Sequence, residues 1–294
     1  MNGVVIIDKP AGVTSAEVVR RIKRVVKPAR VGHLGTLDPF ATGVLPILIG
    51  EATKLAPFME GGEKRYDGTI KLGAETDTLD RDGSVVRTEA LPVLNGERLA
   101  ALERKFTGKL TQVPPVFSAI KRAGVPMYRL ARKGIEVEPP QPREVEIVSL
   151  RLELAAPDSL RFELICSPGT YVRALARDIG NALGSAAHLD QLRRTQSGGF
   201  SIADAIPLDE QLGTLESKDS AAIIALADVI PGIPGINVET EIERRLRHGD
   251  SSALDLLAPA GAELFRVLNS HGRLVAIARA TSRATAMIER VFNE

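Results

Sequence analysis

The sequence contains no tryptophan and only one cysteine, Cys166, and aromatic residues make up 4% of its 294 residues. A single cysteine excludes an intramolecular disulfide and any multi-cysteine zinc or iron–sulfur site, which is typical of a reducing compartment. The four histidines are far apart in the chain, and no HExxH pairing occurs. We therefore predict a protein without a metal site.

Signals for membranes and nucleotide cofactors are also missing. No apolar run reaches the length of a membrane span, and the N-terminal MNGVVIIDKP lacks the basic segment of a secretory leader. The pattern GxxxxGK[ST] is absent, and no GxGxxG follows a predicted strand. These absences predict a cytoplasmic protein that binds neither membrane nor cofactor. With 44% apolar and 26% charged residues, the chain has the composition of a folded globular protein.

The formal net charge is only +1, but the charges are segregated along the chain. The stretches Arg20 to Arg30 and Lys121 to Lys133 contain only basic charges, whereas Asp204 to Asp219 is mainly acidic. Such segregation permits a basic groove on a neutral protein, as a nucleic-acid partner requires. The alternative is that each run is a solvated helix face.

The hydrophobic pattern predicts both strands and helices. A Thr14–Glu17 capping box begins one helix, which ends before Pro28, and the turn from Ser167 to Thr170 caps a second helix. A short apolar helix is predicted around Ala221 to Ala227. Strands are predicted at Val4–Ile7, Val44–Ile49, Tyr66–Leu72, Val145–Leu154, Leu160–Cys166, Glu263–Leu268 and Leu274–Ala278.

Strands and helices do not alternate regularly, which favours an α+β architecture with a mixed sheet. Pro46 predicts that its strand lies at a sheet edge or is irregular. A Pro/Gly-punctuated acidic segment near residues 205–235 separates a first domain, 1–230, from a small β-rich domain, 235–294.

A glycine- and proline-rich segment, Val31 to Lys54, contains the most unusual acidic residue, Asp38. Because Pro39 follows it, Asp38 should lie on extended or tightly turned backbone. Catalytic groups are often held on such loops. Alternatively, Asp38 only caps the turn.

Five ordered blocks stand out along the chain. They are GVVIIDKPAGVTS, GHLGTLDPFATGVLPILIGEATK, KRYDGTIKLGAETDTLDRDG, VPPVFSAIKRAGVPMYRLARKG, and SPGTYVRALARDIG followed by HLDQLRRTQSGGF. Together they resemble the TruB-type tRNA pseudouridine synthases. The resemblance implies a largely antiparallel, mixed-sheet catalytic domain of the pseudouridine synthase type, with an RNA-binding insert at about 105–140. More weakly, residues 235–294 resemble a PUA-type RNA-binding domain.

The same resemblance implies an activity. It is the isomerisation of a uridine in the TΨC loop of tRNA, position 55 in tRNA numbering, by a monomer without cofactor, metal or obligate protein partner. The base must be extruded from its loop into a pocket. Two alternatives remain: the catalytic subunit of an RNA-guided pseudouridylation complex, or a non-catalytic tRNA-folding chaperone that only holds the extruded base.

The resemblance assigns three catalytic residues. Asp38 is the catalytic carboxylate, and whether it attacks the ribose, attacks the base or removes a ribose proton is left open. Arg173 is its partner, since a planar guanidinium can hold a carboxylate bidentately and preserve its charge. Tyr66 stacks on the extruded base. The alternatives are that Arg173 is a surface residue of its helix and that Tyr66 is a half-buried residue of its strand.

Further residues carry over as substrate-binding residues. His33 would lie beside the displaced nucleotide, Lys9 would support the floor of the site, and Leu192 would line the uracil pocket. The alternatives are that His33 is a loop histidine without a functional role, that Lys9–Pro10 is only a proline turn, and that Leu192 is an ordinary core residue. Four basic residues are predicted to grip tRNA phosphates: Arg21, Arg24, Lys121 and Arg122.

Overall fold

The computed structural model describes residues 1–26, 30–118, 121–122, 125–127, 138, 140–217, 223–255, 257–281 and 285–293, with the backbone only at 121–122 and 125–126. Its helices are α1 (Ser15–Val25), α2 (Ala56–Met59), α3 (Gly96–Phe106), α4 (Val172–Ala182), α5 (Leu208–Glu216) and α6 (Thr240–Arg247), with 3-10 turns at Gly50–Leu55, Ile202–Asp204 and Ser251–Leu254.

The strands are numbered in chain order. They are β1 (Gly3–Lys9), β2 (Val31–His33), β3 (Thr42–Ile49), β4 (Lys64–Leu72), β5 (Ala74–Thr76), β6 (Val85–Thr88), β7 (Gly108–Gln112), β8 (Lys121–Arg122), β9 (Val125–Pro126), β10 (Arg143–Ala156), β11 (Ser159–Cys166), β12 (Ala187–Ser197), β13 (Phe200–Ser201), β14 (Ile206–Pro207), β15 (Gly235–Asn237), β16 (Leu264–Leu268), β17 (Leu274–Ala280) and β18 (Ala286–Val291).

Within the described residues, one ten-stranded sheet organises the first two thirds of the chain. Its order is β14-β1-β3-β12-β4-β11-β10-β7, with β2 paired to β3 and β13 paired to β12. The β1–β14 and β3–β12 pairs are parallel and the others antiparallel. A separate sheet, β15-β16-β17-β18, follows near the C-terminus. The predicted α+β class with a largely antiparallel mixed sheet and a β-rich C-terminal region is confirmed.

The apolar run of strand β1 is continuous because both faces of the strand are buried. Val5 and Ile7 pack into the cluster beneath α1 and α4, whereas Val4 and Ile6 pack into a second cluster on the opposite face. Since neighbouring strand residues point to opposite faces, a strand covered on both faces needs apolar residues throughout.

The second cluster joins the two sheets. It contains Val44 and Leu48 of β3 together with Leu274, Ile277 and Phe292 from the C-terminal sheet region. Burial on both sides of this contact holds the C-terminal sheet against the back of the main sheet, away from the face that carries Asp38. The division at residues 230–235 into two domains stays a prediction.

Of the two alternatives predicted from Pro46, an edge strand or an irregular one, the edge strand is wrong. Strand β3 pairs with β1 on one side and with β2 and then β12 on the other. The Pro46 carbonyl accepts from Leu34 N at 2.9 Å, so the position of its missing N–H faces the gap between the β2 and β12 pairings. Proline is tolerated there because no ladder bond requires that N–H.

The predicted helix at Ala221 to Ala227 is also wrong over its described part, 223–227. Ile224 instead bridges Val4, with N–H···O bonds of 3.0 and 2.8 Å in the two directions, and a turn follows. Residues 221 and 222 lie outside the described residues. An apolar run of this length does not distinguish a helix from a short extended segment paired with an edge.

The predicted helix starts are close to those observed. Thr14 caps α1 by accepting from Glu17 N at 3.0 Å, but the Glu17 carboxylate pairs with Arg20 and Arg21 instead of completing the capping box. Helix α4 begins one residue later than predicted, with Tyr171 as its N-cap. Among the described helices, none combines the length and apolar character needed to cross a membrane.

Candidate active site

The loop that carries Asp38 is held on both sides by residues from the turn after β1 and from the start of α1. Leu37 N donates to Ser15 Oγ at 2.9 Å, and Ser15 Oγ donates to Leu37 O at 3.0 Å. On the other side, the Pro39 carbonyl accepts from Gly12 N at 2.8 Å. Asp38 therefore lies on backbone that is fixed immediately before and after it, and its side chain remains 30% exposed.

Arg173, in the first turn of α4, faces this carboxylate. Its Nη2 donates to Asp38 Oδ1 at 3.0 Å, and its Nε lies 2.8 Å from Oδ2 as an ion-pair contact without the alignment of a hydrogen bond. The Arg173 side chain is 5% exposed. One edge of the guanidinium thus meets both carboxylate oxygens, which places a positive charge beside Asp38 and sets the direction of its side chain.

The remaining Arg173 donors are also used. Nη1 donates to Thr78 O and Nη2 to Phe117 O, both at 2.9 Å. Nη1 also lies 3.4 Å from Oδ2 of a second carboxylate, Asp80. Arg173 is therefore oriented independently of Asp38 and lies between two acidic side chains.

Asp80 is the residue that sequence reasoning missed. Its side chain is 8% exposed, and its Oδ1 accepts from Thr78 Oγ1 at 2.6 Å and from Asp82 N at 3.1 Å. Burial raises the pKa of Asp80, while the Thr78 hydrogen bond and the charge of Arg173 act in the opposite direction. The segment TDTLDRDG has several acidic residues, and nothing local to it identifies the one that points inward.

Asp38 lines a cavity of about 260 Å³. Tyr66 of β4, 6% exposed, and Leu192 of β12, 8% exposed, line this cavity with Asp38 and Arg173. Burial raises the pKa of Tyr66 to about 12, so its hydroxyl stays protonated at neutral pH. An aromatic ring, an aliphatic side chain and a charged carboxylate thus face one space that is open to solvent.

Two other predicted site residues do not line this cavity. Lys9 is fully buried, and its ammonium donates to the carbonyls of Pro10, Val13 and Pro39 at 2.8, 2.7 and 3.2 Å. Burial lowers the pKa of Lys9 to about 8, against the opposing charge of Asp38. His33 ends β2, half-buried, with Nδ1 lacking a hydrogen-bond partner among the described residues, and burial lowers its pKa.

Two of the predicted phosphate-binding residues, Arg21 and Arg24, do not line the cavity. Arg21 of α1 is 38% exposed, with Nε 3.2 Å from Glu17 and Nη1 3.9 Å from Asp209, so its charge is partly compensated. Arg24 is exposed on the same helix. The backbone of Lys121 and Arg122 forms β8, paired with β9. The side chains of Lys121 and Arg122 lie outside the described residues.

A larger space, about 730 Å³, lies on the other side of Leu192. It is lined by arginines and carboxylates together, among them Arg81, Arg161, Asp67 and Glu163. Its charges are mixed, and Asp38 does not line it. Among the described residues, no group of three or more His, Cys, Asp or Glu side chains could hold a metal ion.

Comparison with known proteins gives consistent matches. Residues 23–172 match the family model of the N-terminal domain of TruB family pseudouridylate synthases, and residues 173–231 match the model of the tRNA pseudouridylate synthase B C-terminal domain. The chain is 51% identical over 210 residues to tRNA pseudouridine synthase B of Geotalea uraniireducens strain Rf4, covering 71% of this chain and 67% of the relative. It is 39% identical over 294 residues to the protein of that name from Aromatoleum aromaticum strain EbN1, covering 100% and 93%.

Solved structures show the same fold. A chain of a Cbf5–Nop10–Gar1 complex aligns with TM-score 0.73 and 25% identity, over 99% of this chain and 85% of that one. A chain of an H/ACA RNP bound to a substrate RNA containing 2′-deoxyuridine aligns with TM-score 0.72 and 23% identity, over 99% and 85%.

Proposed function

The chain belongs to the TruB family of pseudouridylate synthases, and on this premise we propose that it isomerises a uridine in the TΨC loop of tRNA, position 55, to pseudouridine. The observation that carries the proposal is the Asp38–Arg173 pair, which faces a solvent-open cavity beside Tyr66. A carboxylate paired with a guanidinium at the edge of a base-sized space suits a reaction at a glycosidic bond.

The target uridine must leave its loop to reach Asp38, because the cavity admits a base and not a folded loop. Tyr66 offers a ring on which the extruded uracil stacks, and Leu192 offers apolar contact beside it. Lys9 supports the floor by holding the Pro39 carbonyl next to Asp38. His33 acts next to the displaced nucleotide outside the cavity.

The isomerisation is balanced without any added reagent. The C1′–N1 bond breaks, a C1′–C5 bond forms, the proton on C5 is lost, and N1 gains a proton. Asp38 attacks the ribose, attacks the base or removes a ribose proton. All three routes need an ionised carboxylate, and the Arg173 guanidinium places a positive charge directly against the Asp38 oxygens.

Tritium release from tRNA transcript carrying 5-tritiated uridine tests the function, since exchange of the C5 hydrogen accompanies the new bond. The purified protein alone is expected to release one tritium per tRNA. Release only when a guide RNA and companion proteins are added would identify the RNA-guided subunit. Tight binding without release would identify a folding chaperone.

Asp80→Asn is expected to lower the maximal rate by on the order of 10²-fold, since Arg173 would lose one of the two charges that fix its position. Binding of tRNA and the melting temperature should change little, because the amide keeps the shape of the side chain. Asp82→Asn is the matched control, since Asp82 is exposed and contacts Asp80 only through its backbone N–H. Equal rates for both variants would remove Asp80 from the site.

Tyr66→Phe and Tyr66→Leu separate stacking from the hydroxyl. The leucine variant should lose about 1–3 kcal/mol of base stacking, roughly 5- to 150-fold in the single-turnover rate at subsaturating tRNA. The phenylalanine variant should remain within about fivefold of the parent. A larger loss for phenylalanine than for leucine would contradict a stacking role.

A further inference from the structure

Two cationic side chains converge on Gly35, at the edge of the Asp38 cavity. The position that a Cβ of Gly35 would occupy lies 3.2 Å from Arg194 Nη1 and 3.4 Å from Lys64 Cε. Gly35 has φ +74°, a left-handed conformation that favours glycine. The absence of a side chain there leaves a hollow bordered by two positive charges.

Arg194 is fully buried and forms no salt bridge with a carboxylate of the described residues, although Asp38 lines the same cavity. Its Nε donates to Val44 O at 2.8 Å and its Nη2 to Gly35 O at 2.9 Å, so its described hydrogen bonds go to neutral carbonyls. Its Nη1 is buried and has no partner among the residues that the structure describes. A buried charge without a counter-ion is costly, and a bound anion would offset that cost.

Lys64 is the more accessible of the two cations. It begins β4, is half-buried, and lines both the Asp38 cavity and an adjoining cavity of about 200 Å³ that also contains Gly35. Burial and the charge of Arg194 lower the pKa of Lys64, while Cys166 and Glu60 act in the opposite direction. Glu60 is the carboxylate on the adjoining cavity, and it is exposed.

The position of Lys64 relative to Tyr66 indicates which anion fits. The two residues are separated by one residue of β4, so they lie on the same face of the strand, about 7 Å apart along it. If Tyr66 stacks on the extruded base, the ammonium of Lys64, on the same face of the strand, is within reach of a backbone phosphate beside that base. A backbone phosphate supplies a full negative charge and can approach the bare Gly35.

We propose that Lys64, with the buried charge of Arg194 behind it, binds a backbone phosphate that flanks the extruded uridine. The inference rests on the proposed function, since it takes the base to be stacked on Tyr66. The site contributes affinity and positions the nucleotide, and Lys64 takes no part in bond making or breaking.

Lys64→Met keeps the aliphatic stem and removes the charge. With a TΨC-arm stem-loop RNA, the variant should bind about tenfold more weakly at low salt, and the slope of log K against log[salt] should fall by about 0.7–0.9. Lys71→Met is the matched control, because Lys71 lies on the same strand, pairs with Asp158 and does not line either cavity. An unchanged slope in Lys64→Met would overturn the proposal.

A thermodynamic cycle identifies the phosphate. Stem-loop RNAs carry a neutral methylphosphonate at one of the phosphates on either side of the target uridine, one position at a time. At one position the losses of binding free energy caused by Lys64→Met and by the methylphosphonate should not add, because both changes remove the same contact. Additive losses at every position would overturn the proposal. Binding reports this site whereas tritium release by the unmodified protein reports the proposed function, so the two can fail separately.

Discussion

Asp38→Asn is expected to lower pseudouridine formation by at least about 10⁴-fold, while tRNA binding changes by no more than about threefold. Asparagine has the shape of aspartate but carries no charge, and each of the three routes open to Asp38 needs an ionised carboxylate. Affinity comes from phosphate contacts and stacking, which this substitution does not touch.

Single-turnover tritium release at saturating tRNA measures the first quantity, and filter binding measures the second. The melting temperature must be measured as well, because the asparagine amide can turn its N–H groups towards the Arg173 donors at 2.8–3.0 Å. A stable variant that retains more than about a tenth of the parent rate would show that Asp38 does not carry the chemistry.

Arg173→Lys is expected to lower the maximal rate by about 10²- to 10³-fold although it preserves the positive charge. One guanidinium contacts Asp38 through two nitrogens, the carbonyls of Thr78 and Phe117, and Asp80. A lysine ammonium is a compact point charge and cannot span these partners. The carboxylate of Asp38 would then keep a cation nearby but lose its fixed direction.

Arg177→Lys is the control, since Arg177 lies four residues further along α4 and pairs with the neighbouring Asp178. It should retain the parent rate. Arg173→Met removes the charge from between two acidic groups and is expected to lower the free energy of unfolding by about 3–5 kcal/mol, measured by denaturant titration. A lysine variant with an unchanged rate would show that charge alone, without geometry, suffices at this position.

Local sequence patterns predicted the elements that depend on neighbouring residues. The β-branched run of β1 and the alternation of Leu160 to Cys166 each identified a strand. Thr14 marked the start of α1. The errors at Pro46 and Ile224 concern elements whose environment is distant in sequence: Pro46 is tolerated inside the sheet because of a gap between β2 and β12, and Ile224 is extended because it pairs with Val4.

The sequence predicted which residues belong to the candidate site better than it predicted the contacts between them. Motif resemblance singled out Asp38, Tyr66 and Arg173, and the fold brings them to one cavity. It did not identify Asp80, since only the packing of α4 against the turn after β5 shows which acid faces Arg173. It also assigned Lys9 to the floor of the site and His33 to a position beside the displaced nucleotide, and these roles stay predictions, since neither residue lines the cavity.

The sequence by itself determined the helices and strands that short-range patterns specify, and it determined the rigid turn at Asp38–Pro39. Through its motifs it also determined the family. Tertiary structure alone decided which charges meet. Asp38 and Arg173 are 135 positions apart, and Lys64 and Arg194 come together only because β4 and β12 are paired. Ion pairs and uncompensated charges depend on distances of a few ångströms and on burial, which are properties of the folded chain and not of any stretch of it.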